Sequence, residues 1–283
     1  MAISLEAALS APNQFVTTQS GKIAYRVLGE GKPLVLCNRF RGTLDTWDPK
    51  FISHLAKEYQ VILFDYHGIG LSEGTHQTTA EALSKDLKLF IESLKVGQVI
   101  LGGWSYGGLV AQSFAVIYPE MITHLLVIGS NPPGNNPVPP EQIFFDTALK
   151  PVNDFQDELI LFFEPASPVS VALAEASHQR IALRTSDLDV SVKPEQFNNY
   201  FLGGASFKED LLNTRQNLYQ SNLPVLVVMG DHDPSFPVEN WFPMVKNSEN
   251  MQLVILSRTG HGPQHQYPRL VAGYIRKFID NAK

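Results

Sequence analysis

The chain holds a single cysteine, Cys37, so it can form no internal disulfide, and nothing in its sulfur chemistry calls for an oxidising compartment. Basic clusters are also scarce. No run of Lys and Arg exceeds a pair and the net charge is −6, which disfavours a nucleic-acid surface. No apolar run approaches the roughly 18 residues a membrane span needs. No basic residue precedes Lys22, and no signal-type apolar core follows the first methionine. These absences lead us to expect a soluble, cytoplasmic protein whose partner is a small molecule rather than nucleic acid or a membrane. What is present is an ordinary globular composition, 44% hydrophobic and 18% charged over 283 residues. That length suits one large α/β domain or two small ones. We find no internal repeat, no low-complexity tail and no signature of oligomeric state.

Short apolar runs rich in β-branched residues alternate with segments of helical period. Runs near residues 33–37, 61–64, 99–101, 125–128, 225–229 and 251–256 have the character of strands buried on both faces. Between them, residues 79–94 place Leu83, Leu87, Phe90, Ile91 and Leu94 on one stripe, with Thr78 and Glu81 as a capping box. Residues 106–117 form a second helix that stops before Pro119. This alternation predicts a doubly wound, mostly parallel sheet covered on both sides. Residues 14–18 and 22–27, joined by Ser20-Gly21, predict an antiparallel hairpin at one edge. The rhythm breaks at residues 131–140, where five of ten positions are proline. From there to about Phe207 the pattern is helical. We therefore expect a core of residues 1–131 and 211–283, interrupted by a helical insertion over 132–210.

The strand at 99–101 runs into Gly102-Gly103-Trp104-Ser105-Tyr106-Gly107-Gly108 and then a helix. Gly103-x-Ser105-x-Gly107 fits a nucleophile elbow, a sharp strand-to-helix turn whose flanking positions leave no room for side chains. A serine hydroxyl needs an adjacent base. Of the eight histidines, His261 is the best placed, in a short loop after the strand at 251–256, at the sheet edge where ligands of open α/β sheets bind. His265 falls where a final helix begins, and His67 reads as a turn or surface residue. His54, His76, His124, His178 and His232 read as solvent-facing or structural. The carboxylate that orients the base should come from another strand end. Asp231 and Asp233, after the strand at 225–229, both qualify, and Asp45 and Asp65 stay open. The strand at 125–128 ends in Gly129, Ser130 and Asn131, which offer no acid.

With these motifs and Asp65-x-His67-Gly68-x-Gly70-x-Ser72, nearly the whole chain resembles the α/β-hydrolase fold superfamily, in its serine-nucleophile branch with a helical cap. The resemblance implies the chain order Ser105, Asp233, His261 for nucleophile, acid and base. Asp233 stands three residues after Gly230, and His261 stands in a Gly-His pair, as that family's motifs do. It also implies that the backbone amides of Tyr106 and Phe40 form the oxyanion hole. The aspartate-nucleophile dehalogenases and epoxide hydrolases of this fold are excluded, because position 105 is serine. One departure stands out. Where the family writes His-Gly, this chain reads Asn38-Arg39, followed by Phe40-Arg41.

Arg39 and Arg41 either pair with Asp45 or Asp48 or favour an anionic substrate. With Trp104 they are candidate substrate contacts. Cys37 reads as a small buried residue rather than a second nucleophile. Eight of the 17 phenylalanines fall within residues 141–207, which suggests an apolar pocket under the insertion. The expected activity is hydrolysis of a carboxylic ester or similar acyl bond of an apolar small molecule, through an acyl-enzyme, with no metal or organic cofactor. Carbon–carbon bond hydrolysis and cofactor-free perhydrolysis on the same triad are alternatives. So is a slow or inactive ligand-binding receptor.

Overall fold

Residues 4–282 are described by a computed structural model of the chain. Strands buried on both faces have no polar side to alternate with, and their sequences show it. All six residues of β5 (Val99–Trp104) and of β7 (Val225–Gly230) are buried, whereas the edge strand β1 (Gln14–Thr18) alternates between half-buried and exposed. The remaining strands are β2 (Gly21–Leu28), β3 (Lys32–Cys37), β4 (Tyr59–Phe64), β6 (Ile122–Ile128) and β8 (Met251–Leu256). They form one sheet of eight strands in the order β1-β2-β4-β3-β5-β6-β7-β8. β2 pairs antiparallel with β1 and with β4, and every other pairing is parallel. The doubly wound sheet and its hairpin edge are as the sequence predicts.

Twelve α-helices complete the described chain. α1 (Leu5–Ser10), α2 (Pro49–Leu55), α3 (Ala80–Leu94) and α4 (Tyr106–Ile117) precede β6. Then come α5 (Gln142–Ala148), α6 (Phe155–Phe162), α7 (Pro168–Ala182), α8 (Phe197–Glu209) and α9 (Thr214–Gln220), all between β6 and β7. α10 (Phe242–Asn247), α11 (Pro263–Gln266) and α12 (Pro268–Asn281) follow β7. Alternate strand residues point to opposite faces. Val35, Leu101, Val127 and Val227 pack with Leu87 of α3 and Phe114 of α4, while Leu36, Ile100, Leu126 and Val228 pack with Phe51 of α2 and Ile275 of α12. Two apolar layers therefore clamp the central strands. Among the described residues no helix is long and apolar enough to cross a membrane.

The start of α3 differs from the expected capping box. The N-cap is Thr79, whose hydroxyl accepts from the Ala82 amide at 3.2 Å, and not Thr78. Either threonine can accept, so the choice falls to whichever one the preceding chain holds in an extended conformation.

Between β6 and β7 the described residues contain helices and irregular chain but no strand. The segment is pinned to the core by charge. Arg180 of α7 reaches Asp48 at 2.5 Å, and Arg184 forms an ion pair with Asp45 at 3.3 Å, a carboxylate that Arg26 also faces at 2.6 Å.

Candidate active site

β5 ends at Trp104 and α4 begins at Tyr106, leaving one residue to turn the chain. That residue, Ser105, has φ 59° and ψ −122°, a conformation that a side-chain-bearing residue adopts only when its surroundings impose it. The surroundings do. A Cβ on Gly103 would lie 2.0 Å from the Gly107 carbonyl oxygen, and one on Gly107 would lie 2.1 Å from that of Cys37. Only glycine permits the approach, which is why the motif is written with glycines. The Ser105 amide is held by the Ile128 carbonyl of the neighbouring strand at 2.9 Å. Tyr106 opens the helix, so its amide has no intrahelical acceptor. Neither it nor the Phe40 amide, three residues past the end of β3, donates to another group among the described residues.

β7 and β8 place the candidate acid and the candidate base, respectively. His261 Nδ1 lies 2.7 Å from Asp233 Oδ2, and both side chains are buried. Asp233 Oδ1 accepts from the amides of Ser235 and Phe236 at 2.8 and 2.9 Å. The carboxylate is thereby fixed by two backbone donors and the imidazole. Binding Nδ1 leaves Nε2 as the free ring nitrogen. The Trp104 indole Nε1 donates to the His261 carbonyl at 2.8 Å, and Phe236 flanks the ring at 5.5 Å. Asp231, the rival acid, is partly exposed and binds His232 at 2.6 Å and the Thr259 amide at 3.3 Å. It shapes the turn. Asp45 and Asp65 engage other partners.

Ser105 and His261 border a common cavity of about 280 Å³. Phe40, Arg39 and Arg41 line its core side, and Phe144, Glu158 and Phe162 of the helical segment line the other. Glu158 was not legible as a site residue. Its signal, an acid one turn inside an amphipathic helix, is shared with many solvated faces.

Three sequence expectations change. Arg39 and Arg41 pair with neither Asp45 nor Asp48, because Arg26, Arg184 and Arg180 already occupy those carboxylates. Trp104 does not line the cavity. It is wholly buried against Trp47, Phe162 and His265, where it braces the His261 loop. His67 is not on the surface: it is buried between Asp86 at 3.0 Å and Thr18 at 2.9 Å.

Cys37 is wholly buried, and burial pushes its thiol far above the usual range, so it is no nucleophile. His265 is buried in α11, where burial pulls it down to about 4 and leaves it a neutral support near Asp48. Among the described residues no group of three or more His, Cys, Asp or Glu side chains is placed to hold a metal.

Comparison with known proteins gives a consistent picture. A family model described as alpha/beta hydrolase fold matches residues 32–268. The chain is 27% identical to the proline iminopeptidase PfmaB of Pestalotiopsis fici, over 94% of this chain and 99% of that protein. It is also 27% identical to a pimeloyl-[acyl-carrier protein] methyl ester esterase of Legionella pneumophila, over 89% of this chain and 96% of that enzyme. Among solved structures, an alpha/beta hydrolase fold protein from Chitinophaga pinensis superposes with a TM-score of 0.86 at 27% identity, covering 97% of this chain and 99% of its own.

Proposed function

The chain belongs to the alpha/beta hydrolase fold family and is a hydrolase, and from that premise we propose that it cleaves a carboxylic ester or similar acyl bond of a small molecule with Ser105, His261 and Asp233. The observation that carries this reading is the buried His261–Asp233 pair at 2.7 Å bordering the same cavity as the strained Ser105. Ser105 Oγ attacks the acyl carbon while His261 Nε2 takes its proton and returns it to the leaving alcohol. Asp233 holds Nδ1–H and stabilises the imidazolium. The free amides of Phe40 and Tyr106 receive the oxyanion, aided by the positive end of α4. Water then releases the acid by the same route in reverse. No metal or organic cofactor enters this scheme.

The helices between β6 and β7 act as a cap, with residues 132–210 as its extent. Phe144 and Phe162 supply an apolar wall for the acyl or alcohol group. Ser105→Ala tests the reading on a panel of esters of varied acyl length. Turnover should fall by more than about 10³-fold with the fold intact. Retention of more than a tenth of wild-type activity in a clean preparation overturns it.

A further inference from the structure

Arg26 and Arg184 are met by the Asp45 carboxylate, and Arg180 by that of Asp48. Arg39, on the cavity wall, has no such partner. Its guanidinium packs beside the touching rings of Trp104 and Phe162, 5.2 and 4.6 Å from their centroids. Its one hydrogen bond runs from Nη1 to the Phe40 carbonyl at 2.6 Å, and its Nε is buried without an acceptor. No carboxylate lies within 4.0 Å of it among the described residues. The carboxylate that borders the cavity, Glu158, is bound to His178 Nδ1 at 2.8 Å. Burial lowers Arg39 to about 10, and the charge of Glu158 across the cavity offsets only part of that, which leaves it a cation at neutral pH. A partly buried cation with an idle Nε–H is costly unless something pairs with it.

Arg41 is differently employed. It donates to the carbonyls of Ala148 and Lys150 at 3.0 and 2.7 Å and to that of Pro151 at 3.1 Å. It also stacks 4.5 Å over Phe197. Its donors strap the turn after α5 to the core, so it braces the cavity wall.

We propose that Arg39 recognises a carboxylate on the substrate, so that the molecule hydrolysed is an ester carrying a second, free carboxylate. This rests on the serine-hydrolase reading above. The same cavity is lined by Phe40, Phe144 and Phe162, which suit a carbon chain, and by the Arg39 guanidinium and Ser105. The planar fork of Arg39 suits bidentate binding of a carboxylate, and its contact with the Trp104 and Phe162 rings steadies it. Because Arg39 directly precedes Phe40, the charge also lies next to the amide proposed for the oxyanion.

The test is a matched pair of substrates. One is the mono-4-nitrophenyl ester of adipic, pimelic or suberic acid, and the other is the same ester with its free carboxylate methylated. Wild-type kcat/KM should favour the free acid by about tenfold or more for the best chain length, and Arg39→Met should erase that ratio. Arg41→Met should lower both substrates together and keep the ratio. A displaced Phe40 amide also lowers both together, so the ratio isolates the charge. A wild-type enzyme indifferent to methylation, or an Arg39→Met variant that keeps the wild-type ratio, overturns carboxylate recognition alone. Absence of nitrophenol release from either ester by the wild type overturns it together with the hydrolase reading.

Discussion

The geometry around Asp65 and Asp189 predicts a pH-dependent bond between the core and the helical segment, which Asp65→Asn tests. Asp65, just past β4, is wholly buried. A Cβ on Gly70 would lie 2.5 Å from Asp65 Oδ2 and 2.6 Å from Asp189 Oδ1, so the two carboxyl oxygens share one small space. Both side chains also accept from the Leu44 amide, at 3.0 and 2.8 Å. Burial first, and the Asp189 charge second, push Asp65 well above the usual carboxylate range. We expect it to keep a proton and to share that proton with Asp189.

The unfolded chain releases the same proton near pH ~3.9. The stabilising contribution is therefore complete below that pH. It is lost as pH rises towards the folded value, at about 1.4 kcal/mol per pH unit. Asparagine keeps the carbonyl that Leu44 needs and offers Asp189 an N–H at every pH, so it escapes this loss. For a chain of this size 1 kcal/mol moves the melting temperature by about 2–4 °C. Thermal melts by circular dichroism from pH 4 upwards should thus show Asp65→Asn gaining on the wild type by roughly 3–6 °C per pH unit until the folded Asp65 ionises. Parallel pH profiles for the two proteins would refute the shared proton.

Two further outcomes follow from the geometry. Asp233→Asn should lower kcat by about 10⁴-fold, the cost of the equivalent change in the protease template. Asp231→Asn should cost far less, and the reverse ranking in steady-state assays would show that the wrong aspartate orients His261. Arg180→Ala strands the wholly buried Asp48 carboxylate, which then keeps only its bonds to Ser177 and the Lys50 amide. Urea denaturation should register a loss of about 3–5 kcal/mol, and a loss under 1 kcal/mol would mean that α7 is held by packing alone.

What the sequence made legible is what the backbone constrains. Gly103 and Gly107 are written into the chain because no Cβ fits at either position, and the context of β5 before and α4 after gives the pattern its meaning. Asp233 and Asp231 stood equally close to a strand end, and the family resemblance favoured the one that reaches His261. The partners of the arginines were hidden because they lie far along the chain. Asp48 and Arg180 are 132 residues apart, and nothing local at Arg39 says that Asp45 is already occupied. Trp104 was readable in principle. Ile100 and Trp104 share parity along β5, so Trp104 belongs to the face packed on α2 and α12, away from the cavity.

The central claim is that Ser105 is an activated nucleophile, and a fluorophosphonate probe tests it most directly, because phosphonylation requires a serine whose proton a neighbouring base removes. Native protein is incubated with the probe, and the adduct is located by peptide mass spectrometry. One adduct on Ser105, absent after heat denaturation and strongly diminished in His261→Ala, is the predicted result. An unlabelled native protein, or an adduct on another serine, contradicts the account.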